Sequence, residues 1–355
     1  MQQPTEAVIV GIGARTAGGL TALQVTMSAR ARKFSPRASH LLDKSGDAIA
    51  TARLMSIGDR VVGIDRFLAL GVPPFIQAIH PLRSHEHRAA RIPVIVALPS
   101  AERPGFDARL SQHLLTALEA RARVTIDHDR SKLVFGCRGG GARAIELALE
   151  ALRRHEVVVV GGIDSYFDPD VLDHLDEDLR LHGPATENGF IPGEGSAFLL
   201  LTRGATAGRF ERLGHVLSTA VEHEPRPWGS DKPCLALGMT QAIKRAAAGL
   251  GGDARIPWAL TDVANERHRV EEWAYASMRS RLVFDADVVH EQPLLKTGDL
   301  GAASAAMLLV MASVRWQTGC AAGDSVLVAT HSDGPERGVV IAAADRAHRR
   351  RSPDA

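Results

Sequence analysis

A helical pattern followed by a wholly apolar strand stands near the middle of the chain: GGARAIELALEALRR over 140–154, then VVVVGGIDS over 157–165. Ile145, Leu149 and Leu152 recur at helical spacing and give the first segment one apolar face. The four valines that open the second segment are apolar on both faces, as in a central parallel strand covered by helices. The pair predicts a helix packed against a buried parallel sheet.

The same alternation continues in both directions from this pair. Apolar runs typical of strands occur at 8–10, 93–98, 124–127, 213–220, 258–263, 325–330 and 337–344, and helical patterns at 16–32, 65–82, 106–123, 234–250, 270–282 and 300–315. Pro73-Pro74 should break or kink the second helix, because proline lacks the N–H and clashes with the preceding turn. The alternation predicts an α/β protein with a mostly parallel sheet.

The order of elements in the second half repeats that of the first, without visible sequence identity. The Gly-rich segment 204–208 is typical of a connection. We therefore divide the chain into a first half at 1–206, a second half at 207–346 and a basic tail at 347–355 that we expect to be disordered.

Composition excludes several classes of function. The chain has 355 residues, with 42 basic and 41 acidic side chains, so its balanced charge gives no footprint for nucleic acid. It lacks an apolar run long enough to cross a bilayer, and it does not begin like a signal peptide. Three widely spaced cysteines, Cys137, Cys234 and Cys320, do not form a disulfide framework. These features predict a cytoplasmic protein with no membrane or nucleic-acid partner.

Common cofactor and metal motifs are incomplete. Gly11-Ile12-Gly13 follows a strand, but Thr16 stands where a dinucleotide fingerprint has its third glycine. His85-Glu86-His87 lacks the two histidines four positions apart of a zinc-protease helix. We therefore expect no cofactor and no metal.

Four motifs, in this order and spacing, resemble the β-ketoacyl synthases of the thiolase-like superfamily. They are GGARAIELA at 140–148, GGIDS at 161–165, GFIPGEGSA at 189–197 and KTGDLGAAS at 296–304. The resemblance extends over about 8–344. It implies two similar βαβαβαββ halves packed as an α-β-α-β-α five-layer sandwich, usually in a homodimer.

The chain departs from this family at the reactive residues, a cysteine and two histidines. The nucleophile position falls on Arg138, with Cys137 one residue before it. Ala264 or Asn265 stands at the first histidine position, and His268 follows three or four residues later. The second histidine position holds Asp299, whereas the family's lysine is kept as Lys296.

These replacements argue against the family's decarboxylative condensation. A guanidinium cannot act as a nucleophile, and an ionised aspartate cannot donate a hydrogen bond to an oxyanion. We expect the former acyl pocket to be filled by a network of opposite charges. Its predicted members are Arg138, Glu266, Arg267, Arg269, Lys296 and Asp299.

A narrower resemblance concerns the partner. The segments 11–16, 65–70, 163–169 and 265–273 are similar to a ketosynthase-like subgroup encoded beside type VI secretion effector genes. This implies a cytoplasmic scaffold, adaptor or co-chaperone whose protein partner is an effector or adaptor.

Two alternatives remain. The first is an acyltransferase or thioesterase in which Cys137 is the nucleophile and His268 the base, acting on acyl-CoA or acyl carrier protein thioesters. The second is a module that binds such a thioester without turning it over.

Overall fold

The computed structural model describes residues 7–33, 36–83, 91–184, 186–251 and 254–345. The predicted tail at 347–355 and the His85-Glu86-His87 segment lie outside the described residues. Across these ranges, no helix combines the length and apolarity that a bilayer crossing requires.

The first half runs from β1 to β7. Its elements are β1 (Ala7–Thr16), α1 (Ala22–Arg30), β2 (Arg37–Leu42), β3 (Ala48–Thr51), α2 (Gly63–Ala78), α3 (His80–Arg83), β4 (Val94–Leu98), α4 (Arg109–Ala122), β5 (Lys132–Phe135), α5 (Cys137–Ala151), β6 (Val157–Ser165), α6 (Pro169–Glu177) and β7 (Glu194–Arg203).

The second half runs from β8 to β12. Its elements are β8 (Gly214–His223), α7 (Leu237–Ala247), β9 (Ile256–Thr261), α8 (Arg267–Arg279), β10 (Phe284–Glu291), α9 (Ser304–Gln317), β11 (Ser325–His331) and β12 (Glu336–Ala343).

The two halves share one strand order. The large sheet reads β10-β9-β11-β12-β8-β1-β7-β6-β4-β5, and the halves join where β1 and β8 pair over three residues each. When the five main strands of each half are numbered along the chain, both groups read 3-2-4-5-1 from their outer edge. Apart from α1, α3, α6 and the β2–β3 hairpin, each half follows the order βαβαβαββ, which confirms the predicted fold class.

The prediction of a mostly parallel sheet is wrong, because five of the nine neighbouring strand pairs in the described sheet are antiparallel and four are parallel. The antiparallel pairs arise where the last two strands of each half pair with one another, where the last strand pairs with the first, and where β1 joins β8. Strands β11 and β12 follow one another without a helix between them, which only antiparallel neighbours can do, since parallel strands need a long crossover.

The packing of apolar side chains gives five layers. Helices α5 and α9 contribute to one core with inward residues of both halves, including Val158 of β6 and Val328 of β11. A second core lies between the first-half strands and helices α2 and α4. A third lies between the second-half strands and helices α7 and α8. The middle layer therefore holds the start of α5 against the start of α9.

Of the break or kink predicted at Pro73-Pro74, the break is wrong, because α2 continues through both prolines. Two prolines leave the carbonyl groups four residues earlier without their helical N–H donors. Arg15 Nη1 donates to the carbonyl of Ala69 at 3.0 Å, and Ser196 Oγ donates to that of Leu70 at 2.7 Å. Side chains from β1 and β7 thus replace the missing donors.

Candidate functional site

Glycines bring the start of α5 and the end of β6 close to the turn before α9. A Cβ added to Gly141 would lie 2.7 Å from Cβ of Ala305, and one added to Gly162 would lie 2.4 Å from the carbonyl oxygen of Ala302. Larger residues cannot occupy these positions without displacing the backbone. The Gly-rich motifs therefore set the distance across which the two halves meet.

A bidentate ion pair lies at this junction. Arg138, the second residue of α5, donates from Nε to both carboxylate oxygens of Asp299 at 3.1 Å and from Nη2 to Oδ2 at 2.7 Å. Both residues are 1% exposed. Asp299 also accepts from the backbone N–H of Gly301 at 2.9 Å and from Arg269 Nη1 at 2.8 Å. Two arginines and a backbone donor therefore satisfy one buried carboxylate.

Further charges extend this pair into a six-residue charge cluster. Its members are Arg138, Arg180, Arg269, Glu266, Asp299 and Asp333. Arg180 pairs with Glu266 at 2.7 Å and with Asp333 at 3.0 Å. Arg269 also contacts Glu266. Three guanidinium groups face three carboxylates, so the charge cluster is neutral as a whole.

Asp333 is the member of the charge cluster that is most exposed to solvent. The side chain of Asp333 is 32% exposed, whereas those of the other five are at most 8% exposed. Asp333 nevertheless accepts from Arg138 at 3.2 Å and lies 3.5 Å from Arg269. It is therefore the outermost carboxylate of the charge cluster.

Aromatic rings enclose the guanidinium groups. The Phe190 ring centroid lies 5.6, 5.4 and 5.5 Å from the Cζ atoms of Arg138, Arg180 and Arg269. The Tyr166 hydroxyl lies 3.4 Å from Asp299 Oδ1 and is placed to donate to it. Aromatic faces attract such cations more strongly where water is excluded.

The arginines keep the buried carboxylates ionised. Burial by itself raises the pKa of Asp299, but the charges of Arg138 and Arg269 outweigh it and hold that pKa below its ordinary value. At Asp333 the charges of the same two arginines and of Arg180 likewise outweigh the effect of burial, and they hold its pKa well below the ordinary value. An ionised Asp299 accepts hydrogen bonds and cannot protonate a substrate.

Comparison with known proteins agrees with this architecture. No protein-family model matches the chain. The chain is 34% identical over 123 residues to the actinorhodin polyketide putative beta-ketoacyl synthase 2 of Streptomyces coelicolor. That match covers 30% of this chain and 29% of the relative, so it spans less than a third of either protein.

Solved ketosynthase structures are similar along nearly the whole chain. A type II polyketide synthase acyl-carrier protein in complex with its ketosynthase bound to the hexaketide gives a TM-score of 0.78 at 12% identity, covering 97% of this chain and 100% of that one. The ishigamide ketosynthase/chain length factor gives 0.73 at 18% identity, covering 96% and 99%. The ketosynthase from module 6 of the Bacillus subtilis 168 bacillaene synthase gives 0.75 at 13% identity, covering 96% and 72%.

The chain has the thiolase-like fold of the ketosynthases. At these identities the structural likeness concerns the fold alone. The residues at the reactive positions must therefore be judged from their own contacts.

The charged groups that most affect Cys137 differ from those that most affect His268. Burial raises the pKa of the Cys137 thiol and Asp164 raises it further, against the opposing charges of Arg103 and Arg138. His268 lies instead beside Trp228, with ring centroids 5.8 Å apart.

The pKa shifts of both groups also oppose transfer of a proton from the Cys137 thiol to the His268 imidazole. Burial lowers the pKa of His268 to about 4, and its charged neighbours are Glu266, Arg269, Asp333 and Arg180. The raised pKa of Cys137 keeps it as a thiol at neutral pH, whereas the thiolate is the nucleophilic form.

The other residues predicted at the family's site lie in different places: some in the charge cluster, and the rest in an aromatic core, on the surface or in a separate cavity. Ala264 is buried beside the aromatic residues, and Asn265 is exposed. Arg267 has a side chain that is 78% exposed and pairs with Glu271 at 2.7 Å. Lys296 lines a different cavity, between α1 and α9. Only Arg138, Glu266, Arg269 and Asp299 of the predicted set meet in the charge cluster.

Sequence reasoning missed Arg180 and Asp333. Arg180 follows α6, and Asp333 lies in the turn between β11 and β12. They are 153 positions apart in the sequence. No local motif marks either residue, and only the fold brings them together.

A second buried ion pair, within the first half, holds Glu194 of the GFIPGEGSA motif. Glu194 accepts from Arg66 Nε at 2.6 Å and Nη2 at 2.8 Å, from the backbone N–H of Leu54 at 2.7 Å and from Ser165 Oγ at 2.8 Å. Four donors satisfy this carboxylate, which is 0% exposed. Its contacts fix the start of β7 against α2 and the end of β6.

Two groups of side chains have the proximity of metal ligands. Glu266, His268 and Asp333 form one, but both carboxylates already accept from arginines. Glu224, Cys234 and Glu272 form the other. There Arg337 donates to Glu272 at 2.6 Å, and the N–H of Gly238 donates to Glu224 at 2.8 Å. In both groups, the carboxylates already accept hydrogen bonds from donors within the protein.

Proposed function

We propose that this chain is a non-catalytic ketosynthase-like protein that acts as a cytoplasmic scaffold, adaptor or co-chaperone. The observation that carries the proposal is the buried bidentate pair between Arg138 and Asp299. By the resemblance in sequence, these two residues stand where the family has its nucleophile and its second histidine.

The contacts of the pair disfavour condensation chemistry. Catalysis of this kind needs a thiolate and uncommitted hydrogen-bond donors aimed at the developing oxyanion. Arg138 and Arg269 are instead committed to Asp299, which is itself an acceptor. Removing either charge would leave a buried partner unpaired at a high cost in free energy.

The proposed partner is a protein. We infer a type VI secretion effector or its adaptor from the subgroup resemblance, and a homodimer from the general habit of the family. A carrier protein in complex with a ketosynthase is present among the similar solved structures. In this chain, α8 and the turn after it expose Tyr275, Met278 and Leu282 at 44%, 64% and 67%. An apolar surface of this kind suits a protein contact.

The competing function is acyl transfer or thioester binding through Cys137. The observation in its favour is that Cys137 is the first residue of α5, where a helix N-terminus favours a thiolate. It also has a positive φ of 47°, which is uncommon outside glycine. The raised pKa and the separate surroundings of His268 weigh against this function.

A covalent-adduct experiment distinguishes the two. The protein is incubated with acetyl and malonyl thioesters of CoA and of acyl carrier protein, and its intact mass is measured beside that of an active ketosynthase. We expect no acyl adduct on this chain under conditions that acylate the active enzyme. An adduct that disappears in the Cys137→Ser variant would establish the competing function.

A pull-down from the native organism tests the partner. We expect the wild-type chain to enrich a type VI secretion effector or adaptor. Enrichment should be lost in the double variant Met278→Asp/Leu282→Asp and kept in Leu42→Asp, which changes a residue 58% exposed on β2. Equal enrichment by all three proteins would contradict the assignment of the partner to α8.

A further inference from the structure

A separate cavity of about 500 Å³ lies between α1, the end of β10 and α9. Its volume is in the range of sites for small molecules. Its walls come from three parts of the fold, since Ala29 belongs to α1, Pro293 to the turn after β10 and Met311 to α9. It is distinct from the charge cluster and contains none of that cluster's six residues.

The cavity has an excess of positive charge. Four cations line it: Arg30, Arg32, Lys296 and Arg315. Arg315 is neutralised by an ion pair with Glu291, which is the one carboxylate among the described residues of the lining. Within the described ranges, no carboxylate forms an ion pair with Arg30, Arg32 or Lys296. Three cations therefore line one concave space without an ion-pair partner among the residues that the structure describes.

The backbone holds one of these cations at a position that favours glycine. Arg32 follows the end of α1 with a φ of 53°. The N–H of Arg32 donates to the carbonyl of Ala29 at 3.3 Å, and that of Lys33 donates to the carbonyl of Ser28 at 3.2 Å. This is the Schellman ending of a helix, whose left-handed residue is most often glycine. A fixed turn thus presents Arg32 beside the cavity.

The remaining lining is apolar or able to form hydrogen bonds. Leu260, Leu295 and Met311 supply apolar surface, while Gln292 supplies an amide. Guanidinium groups bind phosphate oxygens in a bidentate manner, and lysine adds a point charge. A cleft lined by one sign of charge concentrates ligands of the opposite sign.

We propose that this cavity binds a phosphorylated small molecule that also carries an apolar or aromatic portion. Arg30, Arg32 and Lys296 hold the phosphate groups, and the apolar walls hold the rest of the ligand. This site does not depend on the scaffold role proposed above, because it uses none of the residues of the charge cluster.

Calorimetric titrations at low ionic strength test the site with three probes. ADP carries both portions of the proposed ligand, pyrophosphate carries only phosphates, and adenosine carries only the apolar part. We expect ADP to bind more tightly than pyrophosphate, and adenosine to give no measurable heat. The double variant Arg30→Gln/Lys296→Gln should weaken ADP binding at least tenfold.

The matched control is Arg153→Gln/Lys244→Gln, which removes two cations from exposed positions outside the cavity. Its affinity for ADP should stay within twofold of the wild type. Absence of binding by both ADP and pyrophosphate would overturn the proposal, and so would equal weakening by the two double variants. Binding of a hexaglutamate peptide in place of both phosphate probes would overturn it in favour of an acidic protein segment.

Discussion

Two buried ionic groups in this molecule differ in what they join. The Arg66–Glu194 pair lies inside the first half, where four donors satisfy one carboxylate. The charge cluster lies between the halves and balances three arginines against three carboxylates. By the resemblance in sequence, Glu194 belongs to a motif of the ketosynthase family, and we infer that Arg138 and Asp299 stand where that family has its reactive groups.

From this comparison we infer that the chain keeps the ionic contacts that stabilise the ketosynthase fold, while its central residues differ from those of the family. In the Arg66–Glu194 pair, the carboxylate also accepts from the backbone N–H of Leu54, which follows β3, and from Ser165 Oγ at the end of β6. The charge cluster instead occupies the space where the resemblance places chemistry. We infer that both groups now stabilise the fold, the first within one half and the second across the two.

The largest effect is expected from Glu194→Ala. This change leaves the buried guanidinium of Arg66 without its carboxylate, so it should lower the free energy of unfolding by about 3–5 kcal/mol. Chemical denaturation measures the loss. Glu194→Gln keeps the shape and one acceptor oxygen, and it should lose less. A loss below about 1 kcal/mol for Glu194→Ala would show that the pair is not a structural requirement.

Two neighbouring arginines on α8 give a matched test of the charge cluster. Arg269→Ala leaves Asp299 and Glu266 short of a buried partner and should cost about 3 kcal/mol of unfolding free energy. Arg267→Ala removes an exposed ion pair and should cost less than about 0.5 kcal/mol. Similar losses in urea denaturation would mean that burial does not distinguish these two positions.

The pH dependence of stability should contain a contribution from His268. Its pKa is about 4 in the folded chain and 6.5 ordinarily, so between these values the unfolded chain takes up the proton more readily. Stability is therefore lost as the pH falls from about 6.5 to 4. Urea denaturation at pH 7 and pH 5 should show a smaller loss in His268→Gln than in the wild type, by about 1 kcal/mol after allowance for partial exposure. Identical losses would contradict the assignment.

Within the charge cluster, the smallest effect is expected at its solvent-facing edge. Asp333→Asn removes a carboxylate that is one-third exposed, while Glu266 and Asp299 continue to pair with the arginines. The loss should be about 1 kcal/mol, because solvent screens this member. A loss as large as that of Arg269→Ala would place Asp333 at the centre of the charge cluster instead of its edge.

The fold could be predicted because its motifs contain glycines at positions where the backbone packs too closely for a side chain. Gly141 and Gly162 stand where no side chain fits, and the apolar alternation predicts most of the central strands. The strand predicted at 124–127 is wrong, because this segment forms only an isolated bridge at Ile126. The partly exposed edge strands β5 and β10 were missed because they lack a buried apolar run. The continuation of α2 through Pro73-Pro74 could not be predicted, since it depends on donors from β1 and β7.

The site could be predicted only in part. Arg267 and Arg269 were both expected in the pocket, but two steps along a helix rotate a side chain by about 200°, so only one of them points inward. Arg180 and Asp333 lie on separate connections, and their meeting depends on tertiary packing. Lys296 lies in a short 3₁₀ turn that faces the cavity beside α1.

The central claim is that Arg138 and Asp299 now act as a structural pair across the two halves. A double-mutant cycle with Arg138→Met, Asp299→Asn and the combined variant, followed by urea denaturation, measures it most directly. The account predicts that each single change costs about 3 kcal/mol and that the two are coupled by about 2 kcal/mol or more. Additive losses, with a coupling near zero, would contradict the claim.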